Sequence, residues 1–145
     1  MLEAADAVSE VWGPERVGMH LAPRGDAHGI SDANPAETFG YVARELGKRK
    51  LAFLMAREYE GPDWLGPTLK QQFGGVYIAN EKFTRESANA VIERGEADAV
   101  AFGQLAIANP DLARRFAEET ELNKPVPETF YAPGPLGYTD YPALG

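Results

Sequence analysis

Residues 74–112 read GGVYIANEKFTRESANAVIERGEADAVAFGQLAIANPDL, and this stretch decides the fold. A short apolar run, Val76 to Ala79, follows the Gly74-Gly75 breaker pair. A helix signal comes next: Thr84 with Glu86 and Ser87 opens it, Ala88, Val91 and Ile92 face inward, and Gly95 is placed to end it. A second apolar run, Ala99 to Phe102, leads to Pro110, which with Asn109 as its cap predicts a helix burying Leu112 and Phe116. Strand, helix, strand, helix at this spacing is the pattern of parallel βαβ units.

The same alternation extends upstream. Glu3 to Val11 predicts a short helix, ended by Gly13-Pro14, and Val17 to Leu21 a buried strand closed by Ala22-Pro23. Arg24 to Asn34 is polar and reads as a loop. Asn34 before Pro35, with Glu37 behind, then caps a helix reaching Lys48 whose Phe39, Val42, Ala43 and Leu46 share one face. Leu51 to Met55 is a further strand, Arg57 to Leu65 a charged, aromatic loop, and Gly66 to Phe73 a short helix. Downstream, Asn123 to Gly145 holds five of the eleven prolines and reads as an irregular tail. The strands are apolar throughout rather than alternating, which predicts burial on both faces.

Composition bounds the function. Apolar residues make up 44 % and charged residues 25 %, ordinary for a globular domain. The net charge of −8 would repel a phosphate backbone, so nucleic acid is set aside. There is no cysteine, hence no disulfide framework, thiolate metal site or cysteine nucleophile. No apolar run approaches the roughly 20 residues of a membrane span, and no charged-then-apolar leader opens the sequence, so a cytoplasmic protein is expected.

In parallel α/β folds the chemistry lies beyond the C-terminal ends of the strands. His20 falls there after the first strand, Arg57 and Glu58 after the second, Asn80, Glu81 and Lys82 after the third, and Gly103 and Gln104 after the fourth. His20 reads either as a hydrogen-bonded core histidine or as a site residue, and with His28 it forms no zinc spacing, so no metal is expected. Arg57 and Glu58 read as a local ion pair. Lys82 is either solvated or, if the last two strands are neighbours, a phosphate ligand. Trp64, Tyr138 and Tyr141 either pack loop and tail or touch a ligand. No GxGxxG or Walker loop follows any strand, and no Ser-His-Asp or paired-carboxylate set stands out. The residues alone lead to a parallel α/β domain with an anionic-ligand site near the last two strands.

Three stretches carry a resemblance: GPERVGMHLAPRGDAHG, FGGVYIANEKFTRESANAVIERGEADAVAFGQLAIANPDL and ETFYAPGPLGYTDYP. They resemble the second half of Old Yellow Enzyme family flavoproteins, the alkene or N-ethylmaleimide reductases, over nearly the whole chain. The resemblance implies half of a TIM (β/α)8 barrel, with four βα units as strands five to eight, residues 1–12 as the remnant of the preceding helix and 123–145 as a tail. A complete barrel takes roughly 250 residues, so 145 hold only part of one.

The resemblance further implies FMN at the C-terminal mouth, NAD(P)H as reductant and an activated alkene as substrate. His20 occupies the place of an arginine at the flavin N1/O2 edge. Asn80, Glu81 and Lys82 match a loop whose backbone contacts the FMN phosphate, and Gly103-Gln104 match a Gly-Arg pair, Gln104 replacing the arginine. Tyr138 matches a tyrosine lining the substrate pocket. The carbonyl-binding pair and proton-donating tyrosine belong to the first half of the barrel, so no catalytic residue is assigned among these 145. The expected partner is the missing N-terminal half-barrel or a second copy of the chain. The alternative is a non-catalytic half-barrel that folds by oligomerising and binds flavin weakly or not at all.

Overall fold

The computed structural model describes residues 1–24 and 31–145; His28 and most of the expected loop from Arg24 to Asn34 lie outside the described residues. The chain forms two compact units, Met1–Ala101 and Phe102–Gly145.

The first unit is built on four strands, β1 (Gly18–Leu21), β2 (Phe53–Arg57), β3 (Val76–Asn80) and β4 (Ala99–Ala101), all parallel and hydrogen-bonded in chain order. Helices α1 (Leu2–Trp12), α2 (Pro35–Lys48), α3 (Gly66–Phe73) and α4 (Arg85–Glu93) accompany them. Local signals set their ends as the sequence predicts. Asn34 accepts from the Glu37 N–H and donates to its carboxylate at 2.8 Å, capping α2. Thr84 and Ser87 exchange side-chain and backbone bonds as a capping box for α4. Gly74, at φ 70°, ends α3 in the left-handed conformation that glycine alone adopts without cost.

The strands depart from the expected double-sided burial. Leu54 and Ala56 of β2 and Tyr77 and Ala79 of β3 are buried, as are Ala43 and Leu46 of α2, Leu69 and Phe73 of α3 and Val91 of α4. The alternate residues Phe53, Met55 and Ile78 are half-buried, and Val76 is 48 % exposed. The core therefore lies between the sheet and its helices, while the opposite face is open among the described residues. Register aligns that face in rows: Gly18, Phe53 and Val76; His20, Met55, Ile78 and Ala99; Arg57, Asn80 and Ala101.

Two smaller corrections concern a strand end and two helix faces. The second strand begins at Phe53 rather than Leu51, because the Ala52 N–H is taken by the Val17 and Pro14 carbonyls in the turn before β1. In α1 only Ala5 is buried; Val8, Val11 and Trp12 are exposed, as is Ile92 of α4. Helical periodicity marks a face that can be buried, and whether it is depends on a neighbour being present.

The second unit holds α5 (Gln104–Ala108) and α6 (Leu112–Glu118). The sequence reading missed α5, and α6 starts at Leu112 instead of Pro110. Asn109 does not cap it. Buried between the two helices, Asn109 donates to the Leu105 and Asn123 carbonyls at 2.9 and 3.2 Å and accepts from the Asn123 N–H at 2.7 Å. Leu112 and Phe116 are half-buried, whereas Arg115 is buried. Its guanidinium binds Asp111 and the Glu121 and Pro142 carbonyls, and Asp111 also accepts from the Leu144 N–H, which fastens the tail to α6.

Candidate functional site

Beyond the C-terminal ends of β1, β2 and β3, the first unit gathers a compact polar cluster. Successive residues of a strand point to opposite faces. Glu58, next after β2, therefore continues the side of Leu54 and Ala56 and is buried, while Arg57 stands on the open face with Met55. They do not form the ion pair that their adjacency predicts. Arg57 Nε donates to Glu81 Oε2 at 2.5 Å, and Glu58 turns instead to Arg24, whose Nε is 2.9 Å from its carboxylate.

Glu58 Oε1 also accepts from the Leu65 N–H at 3.0 Å. Burial pushes the Glu58 carboxyl above its ordinary pKa, opposed by that N–H and by Arg24. The negative charge of Glu58 adds to burial in raising the phenol of Tyr77, which is fully buried. Arg24 extends the cluster: it pairs with Asp63, donates to the Tyr59 carbonyl at 2.9 Å and stacks over the Tyr59 ring at 4.8 Å from the centroid. Its hydrogen bond holds the Asp63 carboxyl below the usual range. Lys82 Nζ lies over the same ring, also at 4.8 Å. Arg24 and Tyr59 are members that sequence reasoning did not single out. The alternation Leu54, Ala56, Glu58 against Met55, Arg57 was the available signal for the two separate ion pairs.

The loop after β3 is conformationally unusual. Glu81 and Lys82 have φ of 99° and 58°, consecutive positive values at non-glycine residues. Such conformations cost of order 1–3 kcal/mol each and persist where surrounding contacts impose them, often at ligand clamps. Here the Glu81 carboxylate is held by Arg57, Lys82 is held over Tyr59, and Asn80 Nδ2 donates to the Ala101 carbonyl at 2.8 Å. Asn80, Glu81 and Lys82 are thus brought together with Arg57 and Tyr59.

The remaining expected site residues fall as follows. His20 is on the open face of β1, beside Met55 in register, and is exposed, not a core histidine. Gly103 and Gln104 belong to the second unit, where Gly103 precedes α5 and a Cβ built on it meets nothing within 4 Å. Tyr138 is 68 % exposed, whereas the Tyr141 hydroxyl accepts from the Val126 N–H at 2.9 Å and packs the tail. Among the described residues no group of three or more histidine, aspartate or glutamate side chains could hold a metal ion, and no helix is long and apolar enough to cross a membrane.

Comparison with known proteins places this geometry. No protein-family model matches the chain. It is 37 % identical to a probable flavin mononucleotide-dependent alkene reductase of Leishmania infantum and 36 % identical to 12-oxophytodienoate reductase 2 of Arabidopsis thaliana, in each case over 99 % of this chain. It spans 40 % and 41 % of those relatives' lengths. Among solved structures it matches morphinone reductase in complex with tetrahydroNAD (43 % identity, TM-score 0.92) and the old yellow enzyme from Trypanosoma cruzi (32 %, 0.93). Each match covers 99 % of this chain and 40 % or 39 % of the other. The four parallel βα units are accordingly half of a (β/α)8 barrel. By sequence and by fold, the chain matches, over nearly its whole length, the C-terminal half of Old Yellow Enzyme family alkene reductases.

Proposed function

We propose that this chain supplies the FMN phosphate site and part of the pocket wall of an FMN-dependent ene-reductase that reduces activated alkenes with NAD(P)H. The observation that carries the reading is the loop after β3, where Glu81 and Lys82 are consecutively left-handed at the mouth of the half-barrel. Strain there is accounted for if the backbone of residues 80–82 is shaped around an anion. The donor set fits the cofactor. Lys82 brings a cation to the loop, and Arg57 neutralises the one carboxylate on it. His20 offers a donor on the open face of the same unit. In the second unit, taken by itself, Gln104 and Tyr138 follow the family resemblance as cofactor and substrate contacts, Gln104 bringing hydrogen bonds without charge and Tyr138 an exposed phenol.

FMN, when bound, supplies the hydride chemistry, and the protein positions it and tunes its electrostatics. No proton-donating acid or carbonyl-binding pair is assigned in these 145 residues, so turnover requires a complementary half-barrel. That partner is expected to be an N-terminal half of the same family. The open face of the sheet and the exposed Val8, Val11 and Trp12 of α1 favour such a partner. They equally support the second reading, a non-catalytic half-barrel closed by its own copy. The test is gel filtration with FMN, for the chain alone and co-expressed with the N-terminal half of a relative. Flavin absorbance should co-elute with the protein; its absence from both samples would remove the flavin reading.

A further inference from the structure

Three loops at the mouth of the first unit meet on one ring. Tyr59, in the loop after β2, is 40 % exposed, yet its side chain is not loose. The Arg24 guanidinium, from the segment after β1, stands 4.8 Å from the ring centroid and donates to the Tyr59 carbonyl at 2.9 Å, so one cation grips both ring and backbone of the same residue. Arg24 is itself fixed: its Nε is 2.9 Å from the carboxylate of Glu58, whose side chain is wholly buried. The ring is therefore tied to the core through two charged groups. On this platform rests Lys82 of the loop after β3, its Nζ also 4.8 Å from the centroid. Two like charges brought to one ring repel each other, and the quadrupole of the ring is the attraction they share.

Lys82 is also left-handed, at φ 58°, a conformation that disfavours any L side chain and persists where contacts hold it. The cost of that conformation and the gain from one cation–π contact are comparable in size. Sheet pairing brings the loop to the ring. The Glu58 N–H donates to the Asn80 carbonyl at 2.9 Å, one step past the register pair Arg57 and Asn80, so residues 81 and 82 leave the sheet alongside residue 59. We propose that Tyr59 is a positioning residue for the loop after β3: its ring, held by Arg24, anchors the Lys82 side chain and so preserves the backbone shape of residues 80–82. The inference rests on the phosphate-loop reading above and adds to it the group that keeps the loop ready for an anion. The ring is one anchor of Lys82 and need not be its sole partner. Glycine supplies the discriminating background, because it adopts a positive φ without cost and a loop with glycine at position 82 needs no anchor there.

FMN and riboflavin share the ring system and differ in the phosphate, so the ratio of their affinities reads the loop. Both are titrated, by quenching of flavin fluorescence, into the 145-residue chain alone and with the complementary half-barrel present. Tyr59→Leu, which keeps an apolar side chain and removes the quadrupole, should weaken FMN by about three- to tenfold and leave riboflavin unchanged. Tyr59→Phe should bind both flavins as the wild type does. In Lys82→Gly, whose own FMN affinity is the reference, adding Tyr59→Leu should cause no further loss. Circular dichroism identifies a variant that fails to fold. If Tyr59→Leu does, Tyr59→Phe and the wild-type proton spectrum carry the test, since a ring beneath Lys82 shifts its ε-methylene resonance upfield. Unchanged FMN affinity in folded Tyr59→Leu, an equal loss for riboflavin, a loss in Tyr59→Phe, additive losses in the Lys82→Gly background, or no upfield shift each overturn the inference while leaving the phosphate-loop reading intact. FMN bound no more tightly than riboflavin by every wild-type sample would remove the phosphate-loop reading, and this inference with it.

Discussion

Glu58 is a carboxylate without solvent, held by one N–H and one guanidinium. A group whose folded pKa lies above its unfolded value contributes stability that is complete below the unfolded pKa, about 4.3 for glutamate, and is lost as pH rises through the folded value. Glu58→Gln keeps an acceptor for the Leu65 N–H and abolishes the titration. Urea denaturation at a series of pH values should therefore show a shallower decline in stability from about pH 4 upward than in the wild type; equal slopes would assign the decline elsewhere. Lys82 is a subtler residue because its ammonium already has the Tyr59 ring beneath it. Lys82→Ala removes a charge beside the proposed phosphate loop and should weaken FMN binding by roughly 1–3 kcal/mol without affecting riboflavin. An effect of equal size on riboflavin would mean that the lysine acts by supporting Tyr59 instead.

Helices of the two units are ended by different means. In the first unit the caps are local in sequence, Asn34 with Glu37 and Thr84 with Ser87, so the boundaries of α2 and α4 follow from a few neighbouring residues. In the second, Asn109 joins α5 to the tail across 14 residues, and Arg115 reaches a carbonyl 27 residues away. Asn109→Ala would strip three hydrogen bonds and leave the half-buried Asn123 N–H and Leu105 carbonyl without them. The expected cost is about 2–3 kcal/mol, read as a lower denaturation midpoint, together with faster proteolysis after residue 122. Stability unaltered within about 0.5 kcal/mol would show that the tail contributes nothing to the fold.

A sheet of four parallel strands with one open face is half of an arrangement that buries both. Leaving several hundred Å2 of apolar surface in water costs on the order of 10 kcal/mol, comparable with the stability of a whole domain. The 145 residues alone are therefore expected to associate. Sedimentation at micromolar concentration should show a dimer or larger species, and a complementary half-barrel should convert it to a one-to-one complex; a cooperatively unfolding monomer would count against this. Activity should follow assembly. The chain alone should reduce 2-cyclohexenone no faster than free FMN, because removing positioned acids and hydrogen-bond donors costs orders of magnitude in rate, and the one-to-one complex should turn over. Turnover by the chain alone would show that its own residues supply the missing acid.

What the sequence determined by itself is what depends on near neighbours: the βα alternation, the caps at Asn34 and Thr84, the stop at Gly95 and the family motifs from Val76 to Leu112. Periodicity and capping act within a few residues, and a reader of the chain meets all the participants together. Tertiary structure decided which charges meet. Arg57 and Glu58, adjacent in sequence, are separated onto opposite faces by the strand pleat and find Glu81 and Arg24 on other loops. It also decided the left-handed backbone at Glu81 and Lys82, where neither residue type favours that conformation and contacts from β2 and its following loop hold both side chains. The open inner face belongs to the same class. An apolar strand announces that it can be buried on two sides, and only the assembled sheet reveals which side is covered.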